Sequence, residues 1–153
     1  MVETDWREDL KKLFEDLSII EKSKKETVQN FHQFCEFIAE PAFETLNEEF
    51  KQYGIKSQLQ RSKGKSISFK INFPKSRVDN FTYIVCLPEN SFKFELKLVM
   101  RGRKSEKSQI EEREMPFMES VDPDDILKLS QVELIQDVIE QYKDFNYKAL
   151  TNL

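Results

Sequence analysis

Ser66-Ile67-Ser68-Phe69-Lys70-Ile71-Asn72-Phe73 alternates polar and apolar residues without a break. Successive side chains of a strand point to opposite faces, so this stretch predicts a strand with one greasy and one wet face. After the turn Pro74-Lys75-Ser76, the residues Phe81, Tyr83, Val85 and Leu87 repeat the pattern. There Thr82, Ile84 and Cys86 make the second face less polar, which suits a central strand. Beyond Pro88-Glu89-Asn90-Ser91, a third run places Phe92, Phe94, Leu96, Leu98 and Met100 in alternation with Lys93, Glu95, Lys97 and Val99. Short polar turns between such runs imply sequential antiparallel pairing. Residues 55–61 add an edge strand before the turn Ser62-Lys63-Gly64-Lys65, and residues 114–119 a last strand after a mobile, charged loop at 101–112.

Upstream, the period is helical. Trp6, Leu10, Leu13, Leu17 and Ile20 step by four and three residues, the spacing of a helical seam, and predict a first helix from about residue 4 to 21. Polar residues Glu21-Lys22-Ser23-Lys24-Lys25 then occupy the place where the seam would continue, and are read as a turn between antiparallel helices in preference to a polar interruption of one long helix. Val28, Phe31, Phe34, Cys35, Ile38, Ala42, Leu46, Phe50 and Tyr53 form a second helical pattern that stops at Gly54. Pro41 lies inside it and predicts a kink, or a break with Pro41 opening a new segment.

Downstream, Asp122-Pro123-Asp124-Asp125 reads as a helix start, and Ser130 with Glu133 as a capping box. The closing helix carries Val132, Ile135, Val138, Ile139, Tyr142 and Phe145. Strands bracketed by helices argue an α+β fold: a two-layer domain in which an antiparallel β-meander of four to five strands packs against N-terminal helices and a C-terminal helix. Its core is expected from Phe31, Phe34, Ile38, Leu46, Phe69, Ile71, Phe81, Tyr83, Val85, Phe94, Leu96, Ile135 and Val138.

A chain of 153 residues is long enough to bury about 70% of its unfolded surface, so residues 1–153 are read as one domain that needs no disulfide or metal to stand. Residues 1–22 form a separable N-terminal helix in this reading. Thirteen Phe against three Gly promise a large apolar core and little glycine-built phosphate cradling. The stretch from residue 1 to 9 is acidic and lacks the apolar run of a secretory signal, and no segment approaches the length of about 18 apolar residues that spans a bilayer. A cytoplasmic protein with no membrane partner is expected, with Cys35 and Cys86 as reduced, buried hydrophobes.

The net charge of −4 conceals a pattern. Residues 1–54 carry 13 acids and 7 bases, residues 55–110 carry 4 acids and 13 bases, and residues 111–153 carry 11 acids and 4 bases, giving blocks of −6, +9 and −7. The sequence therefore predicts a basic sheet flanked by acidic helices.

Motifs that carry chemistry fail on inspection. Gly64-Lys65-Ser66 matches the tail of a phosphate-binding loop, but Leu59 stands where that loop needs its first glycine. His32 and Cys35 sit one turn apart, yet one His and two Cys fall short of the four ligands of a structural zinc site. Asp122, Asp124 and Glu133 fit three positions of a calcium loop in which Ile126 and Leu127 replace a ligand and the obligatory glycine. No catalytic residue, cofactor or metal is predicted, and the chain is read as a non-enzyme, a small enzyme without a recognisable motif being the weakest of three readings.

Two functions remain. The first is a protein–protein interaction module of adaptor, regulator or inhibitor type, meeting an acidic protein through Lys70, Lys93, Lys97, Arg101, Arg103 and Lys104. The seam of Trp6, Leu10, Leu13, Leu17 and Ile20 is expected to pack on its own sheet, the alternative being that it docks on a partner helix or forms a homodimer. The second is salt-sensitive binding to a nucleic-acid backbone through residues 56–107. Base stacking is disfavoured because Phe69, Phe73, Phe81, Tyr83, Phe92 and Phe94 share phase with the aliphatic residues and so face inward.

Overall fold

The computed structural model describes residues 5–151. Asp5 opens α1 (Trp6–Phe34), its carboxylate accepting from the Arg7 N–H at 3.1 Å, with Glu8 and Asp9 in the electropositive first turn. The expected start at residue 4 lies outside the described residues. No turn follows at residues 21–25: α1 runs through them unbroken, which overturns the reading of two antiparallel helices. Glu and Lys are good helix formers and neither glycine nor proline interrupts them, so the polar stretch marks a solvated turn of helix.

The kink expected at Pro41 takes the form of a π-helical turn (Cys35–Ala39) followed by α2 (Glu40–Lys51). Proline has no N–H and its ring crowds the carbonyl four residues back, so the ladder widens before it and the Glu40 N–H reaches back to the Cys35 carbonyl. Pro41 then sits in the first turn of α2, where no donor is needed. Together these segments form a continuous rod roughly 70 Å long. Gly54, at φ +69°, ends it, with the Gly54 N–H on the Lys51 carbonyl at 3.1 Å and the Ile55 N–H on the Phe50 carbonyl at 3.1 Å.

The meander is present with five strands in the order β1-β2-β3-β4-β5, every neighbouring pair antiparallel: β1 (Ser57–Ser62), β2 (Ser66–Asn72), β3 (Asp79–Cys86), β4 (Lys97–Gly102) and β5 (Glu111–Pro116). Two strand boundaries differ from expectation. β4 starts at Lys97, not near residue 92, because β3 has ended at Cys86, its partner in the last pair, and residues 87–96 have no strand to pair with. β5 starts at Glu111, so the two residues at each end of the expected loop, 101–102 and 111–112, are strand and residues 103–110 connect β4 to β5.

The closing segment has two parts. Asp122 caps a 3-10 turn (Pro123–Lys128), and Ser130 caps α3 (Gln131–Thr151): Ser130 Oγ accepts from the Glu133 N–H at 3.1 Å while Glu133 Oε1 accepts from the Ser130 N–H at 3.4 Å. α2, the π turn, the C-terminal part of α1 and α3 cover one face of the sheet, and Phe43 joins the layers by stacking on Phe69 at 5.3 Å and meeting Tyr83 edge-on at 6.2 Å. Of the expected core residues, Phe94 and Ile135 are only half-buried, and Val132 and Ile139 on the α3 seam are exposed. Leu134 takes the inward position beside Val138.

Candidate interaction surfaces

The first surface is the N-terminal part of α1. From Trp6 to Lys22 every residue is exposed, although Trp6, Leu10, Leu13, Leu17 and Ile20 lie along one helical stripe. They are 40% to 61% exposed, and Phe14 beside the stripe is 61% exposed. Burial begins only at Ser23 and Lys24, which are half-covered, and is complete at Thr27 and Phe31. Thr27 and Phe31 continue the step of the stripe, so α1 is one amphipathic helix whose C-terminal part sits on the core and whose N-terminal part projects from it as an arm. The stripe does not pack at home. Ile19, 63% exposed, lies off the stripe and its helical step gave no sign of it.

The second surface is the uncovered face of the sheet. Strand register sets its side chains in three rows: Gln58, Lys70, Thr82, Arg101 and Glu112; then Gln60, Ser68, Ile84, Val99 and Glu114; then Ser62, Ser66, Cys86, Lys97 and Pro116. The rows place acids of β5 beside cations of β4. Lys97 Nζ lies 2.9 Å from Glu114 and Arg101 Nε 3.0 Å from Glu112. Past the end of β4, Arg103 pairs with Asp79 at 3.2 Å and Lys104 approaches Glu111 at 4.0 Å. Lys93 lies between β3 and β4, off the sheet, beside the ring of Phe92, which is exposed. Of the six cations named from sequence, therefore, Lys70, Lys97 and Arg101 share the open face and four are held in ion pairs.

Those pairs shape the field of the sheet. The three made with β5 are largely solvent-exposed, so each contributes little to stability, but each acid on β5 cancels a cation that a phosphate or an acidic partner would otherwise meet. Phe69, Phe81 and Tyr83 are buried on the helical side, as the alternation predicts, whereas Phe73 is half-buried just beyond β2 and Phe92 is exposed in the connection after β3. No protein-family model, curated protein or solved structure matches the chain.

The third cluster lies where the π turn meets β1. Arg61 Nη1 donates to Glu40 at 2.9 Å and Nη2 to His32 Nδ1 at 2.5 Å. Since Nδ1 accepts, Nε2 carries the imidazole proton and faces Glu36 at 3.3 Å. His32 is thus turned to carboxylate and guanidinium, and Cys35 is a free, buried thiol. Burial pushes the Cys35 thiol up to about 12, with Arg61 opposing and Glu40 assisting, so at neutral pH the sulfur is a protonated hydrophobe and a poor nucleophile. The cluster ties α2 to β1 across a break in helical geometry. Arg61 and Glu40, far apart in sequence, carry no local signal of their pairing.

A depression of about 300 Å³ between the β4–β5 end of the sheet and α3 is lined by Arg101, Lys104, Arg113 and Lys148 together with Glu111, Glu112 and Asp144. Three of its four cations are paired: Lys148 meets Asp144 at 3.0 Å, beside the Arg101 and Lys104 pairs. Among the described residues no group of three His, Cys, Asp or Glu is placed to hold a metal ion, and no helix is long and apolar enough to cross a membrane.

Proposed function

We propose that the chain is a cytoplasmic, non-enzymatic protein–protein interaction module, of adaptor, regulator or inhibitor type, whose principal contact element is the arm of α1. The observation that carries this reading is the solvent exposure of an apolar stripe from Trp6 to Ile20 on a helix that has no tertiary cover there. Isolated helices are marginal in water and take most of their stability from burying an amphipathic face, so a bare arm favours a partner that completes it. The rods and sheet of the body serve as the platform that holds the arm out.

The open sheet face is a secondary contact in this reading, with Lys70 as its cation outside the β5 pairs. Backbone binding to nucleic acid is weaker support for the same surface, because Lys97, Arg101, Arg103 and Lys104 would have to leave carboxylates to reach phosphates.

Affinity capture from extract of the parent cell separates the two. Leu13→Lys with Leu17→Lys on the arm is expected to abolish protein capture, and Lys70→Glu with Lys93→Glu and Lys97→Glu to leave most of it. Recovery of nucleic acid that weakens steeply with salt and disappears with the lysine reversals, while the arm variant behaves as wild type, would replace this reading with the nucleic-acid one.

A further inference from the structure

The charges that border the exposed stripe of α1 distinguish among its occupants. Taking Leu10 and Leu17 as a positions of a heptad and Trp6, Leu13 and Ile20 as d positions, the next a position is Lys24. The residues flanking the seam are Arg7, Phe14 and Glu21 on one side and Asp9, Asp16 and Ser23 on the other. One edge therefore runs from a cation through an aromatic ring to an anion.

We propose that the occupant of the arm is a second copy of this chain, lying antiparallel to the first. The proposal rests on the interaction reading above and names its partner. With Leu13 set against Leu17 of the second copy, Leu10 falls against its Ile20, and the two-fold axis repeats both layers. In that register Arg7 faces Glu21 of the second copy, Glu21 faces its Arg7, and the two Phe14 rings meet on the axis. The half-covered Lys24 lies against Trp6 of the second copy, where its aliphatic stem covers the ring and its ammonium reaches water. One like-charge contact arises, between the two Asp16 side chains, at a wet edge of the seam.

A parallel pair fares worse on every count. It puts Lys24 against Lys24 inside the seam, and sets Asp16 against Glu21 of the second copy twice over, with no opposite-charge pair among the described residues in return. The antiparallel pair also keeps the two bodies at opposite ends of the joined arms, where the acidic α2 and α3 of one copy stay clear of the other. The layers from Leu10 to Ile20 are aliphatic throughout, so the seam is dry where the two copies meet.

Light scattering of the full chain across micromolar concentrations is expected to give twice the 18.3 kDa of one copy. Leu13→Lys with Leu17→Lys, at positions already exposed in the body's own fold, should return the mass of one copy without lowering the melting temperature of the body. Arg7→Glu should weaken association several-fold and Arg7→Glu with Glu21→Arg should restore it. For orientation, Leu10→Cys mixed with Ile20→Cys should cross-link on oxidation, whereas Leu10→Cys alone should not. A single-copy mass at every concentration overturns the proposal, as does efficient cross-linking of Leu10→Cys to itself. A single-copy mass together with arm-dependent capture of a different protein overturns the second copy as occupant and leaves the interaction reading standing; with no capture, both fall.

Discussion

The hydroxyl of Tyr83, at the centre of β3, donates to the carboxylate of Asp137 on α3. Tyr83 has no exposed surface, so this one polar atom inside the aromatic core is answered by the helix that covers it. The bond fixes which turn of α3 stands over the central strand. Removing the hydroxyl with Tyr83→Phe leaves the half-buried Asp137 without that donor, and a loss of about 1–3 kcal/mol is expected in urea unfolding. Tyr83→Ala, which also opens a cavity, should cost about 3–5 kcal/mol, while Phe94→Ala at its half-buried position should cost clearly less. Equal losses for the two alanine variants would contradict the placement of the core.

Alkaline pH should unfold the protein earlier than exposed tyrosines and cysteines would allow. Burial first, and then the charge and hydrogen bond of Asp137, push the Tyr83 hydroxyl well above 10.0; burial lifts the Cys35 thiol from 9.0 to about 12. Both groups keep their protons longer when folded, so the unfolded chain binds fewer protons above pH 9 and stability falls as pH rises. The contribution is fully present below pH 9 and is lost through pH 12 for Cys35, with Tyr83 adding to the decline above pH 10, at up to about 1.4 kcal/mol per pH unit for each group. Urea midpoints at pH 8, 9.5 and 11 measure the slope. Cys35→Ala should flatten its lower part, and a midpoint unchanged from pH 8 to 11 would show that neither group is buried in its neutral form.

Gly102 closes β4 directly beneath the ring of Phe145, which also packs against Phe81 with ring centres 5.6 Å apart. A methyl group at residue 102 would stand 2.7 Å from both Cε atoms of that ring, closer than side-chain carbons approach. The glycine is needed for space, since its backbone is not left-handed as Gly54 and Gly64 are. Gly102→Ala should therefore destabilise by about 1–3 kcal/mol through overpacking. Phe145→Leu, alone mildly costly, should relieve part of that loss when combined with it, so the double variant should be more stable than additivity predicts. Additive losses would mean that the ring is free to move aside.

The sheet was legible because its signal is local: the alternation of residues 66–73 and 81–87 fixes face and neighbour together, and Phe69, Ile71, Phe81, Tyr83 and Val85 are all buried where it puts them. The same alternation misled at residues 92–96, whose spacing fits a strand but whose partner strand has already ended at Cys86. Helical spacing located the stripe of α1 but not its exposure, because the period of an apolar face is identical whether the cover comes from the same chain or another. At residues 21–25 polarity suggests a turn, although Glu and Lys favour helix and only tertiary return would require one. The basic sheet shows the limit most clearly. Block charges are sums along the chain, whereas the Arg101–Glu112 and Lys97–Glu114 pairs depend on the β4–β5 register, which the length of the connecting loop sets.

The guanidinium of Arg61 is the link between β1 and the helical rod, and its loss should be felt in the rod. Its side chain is 21% exposed and that of Glu40 30%, so the pair is shielded from water more than the β4–β5 pairs are. Glu40 belongs to the first turn of α2, immediately after the π turn and next to Pro41. Arg61→Ala removes the partner of Glu40 and the donor of His32 at once, and a loss of about 1–3 kcal/mol is expected. Because both partners act through one contact, Glu40→Ala with Arg61→Ala should cost less than the two single losses added, by at least about 0.5 kcal/mol. Amide hydrogen exchange gives the local readout. Faster exchange confined to the Cys35–Ala39 turn and the first turn of α2 is expected in Arg61→Ala, whereas unaltered exchange there would mean that the π turn is held by Pro41 and core packing alone.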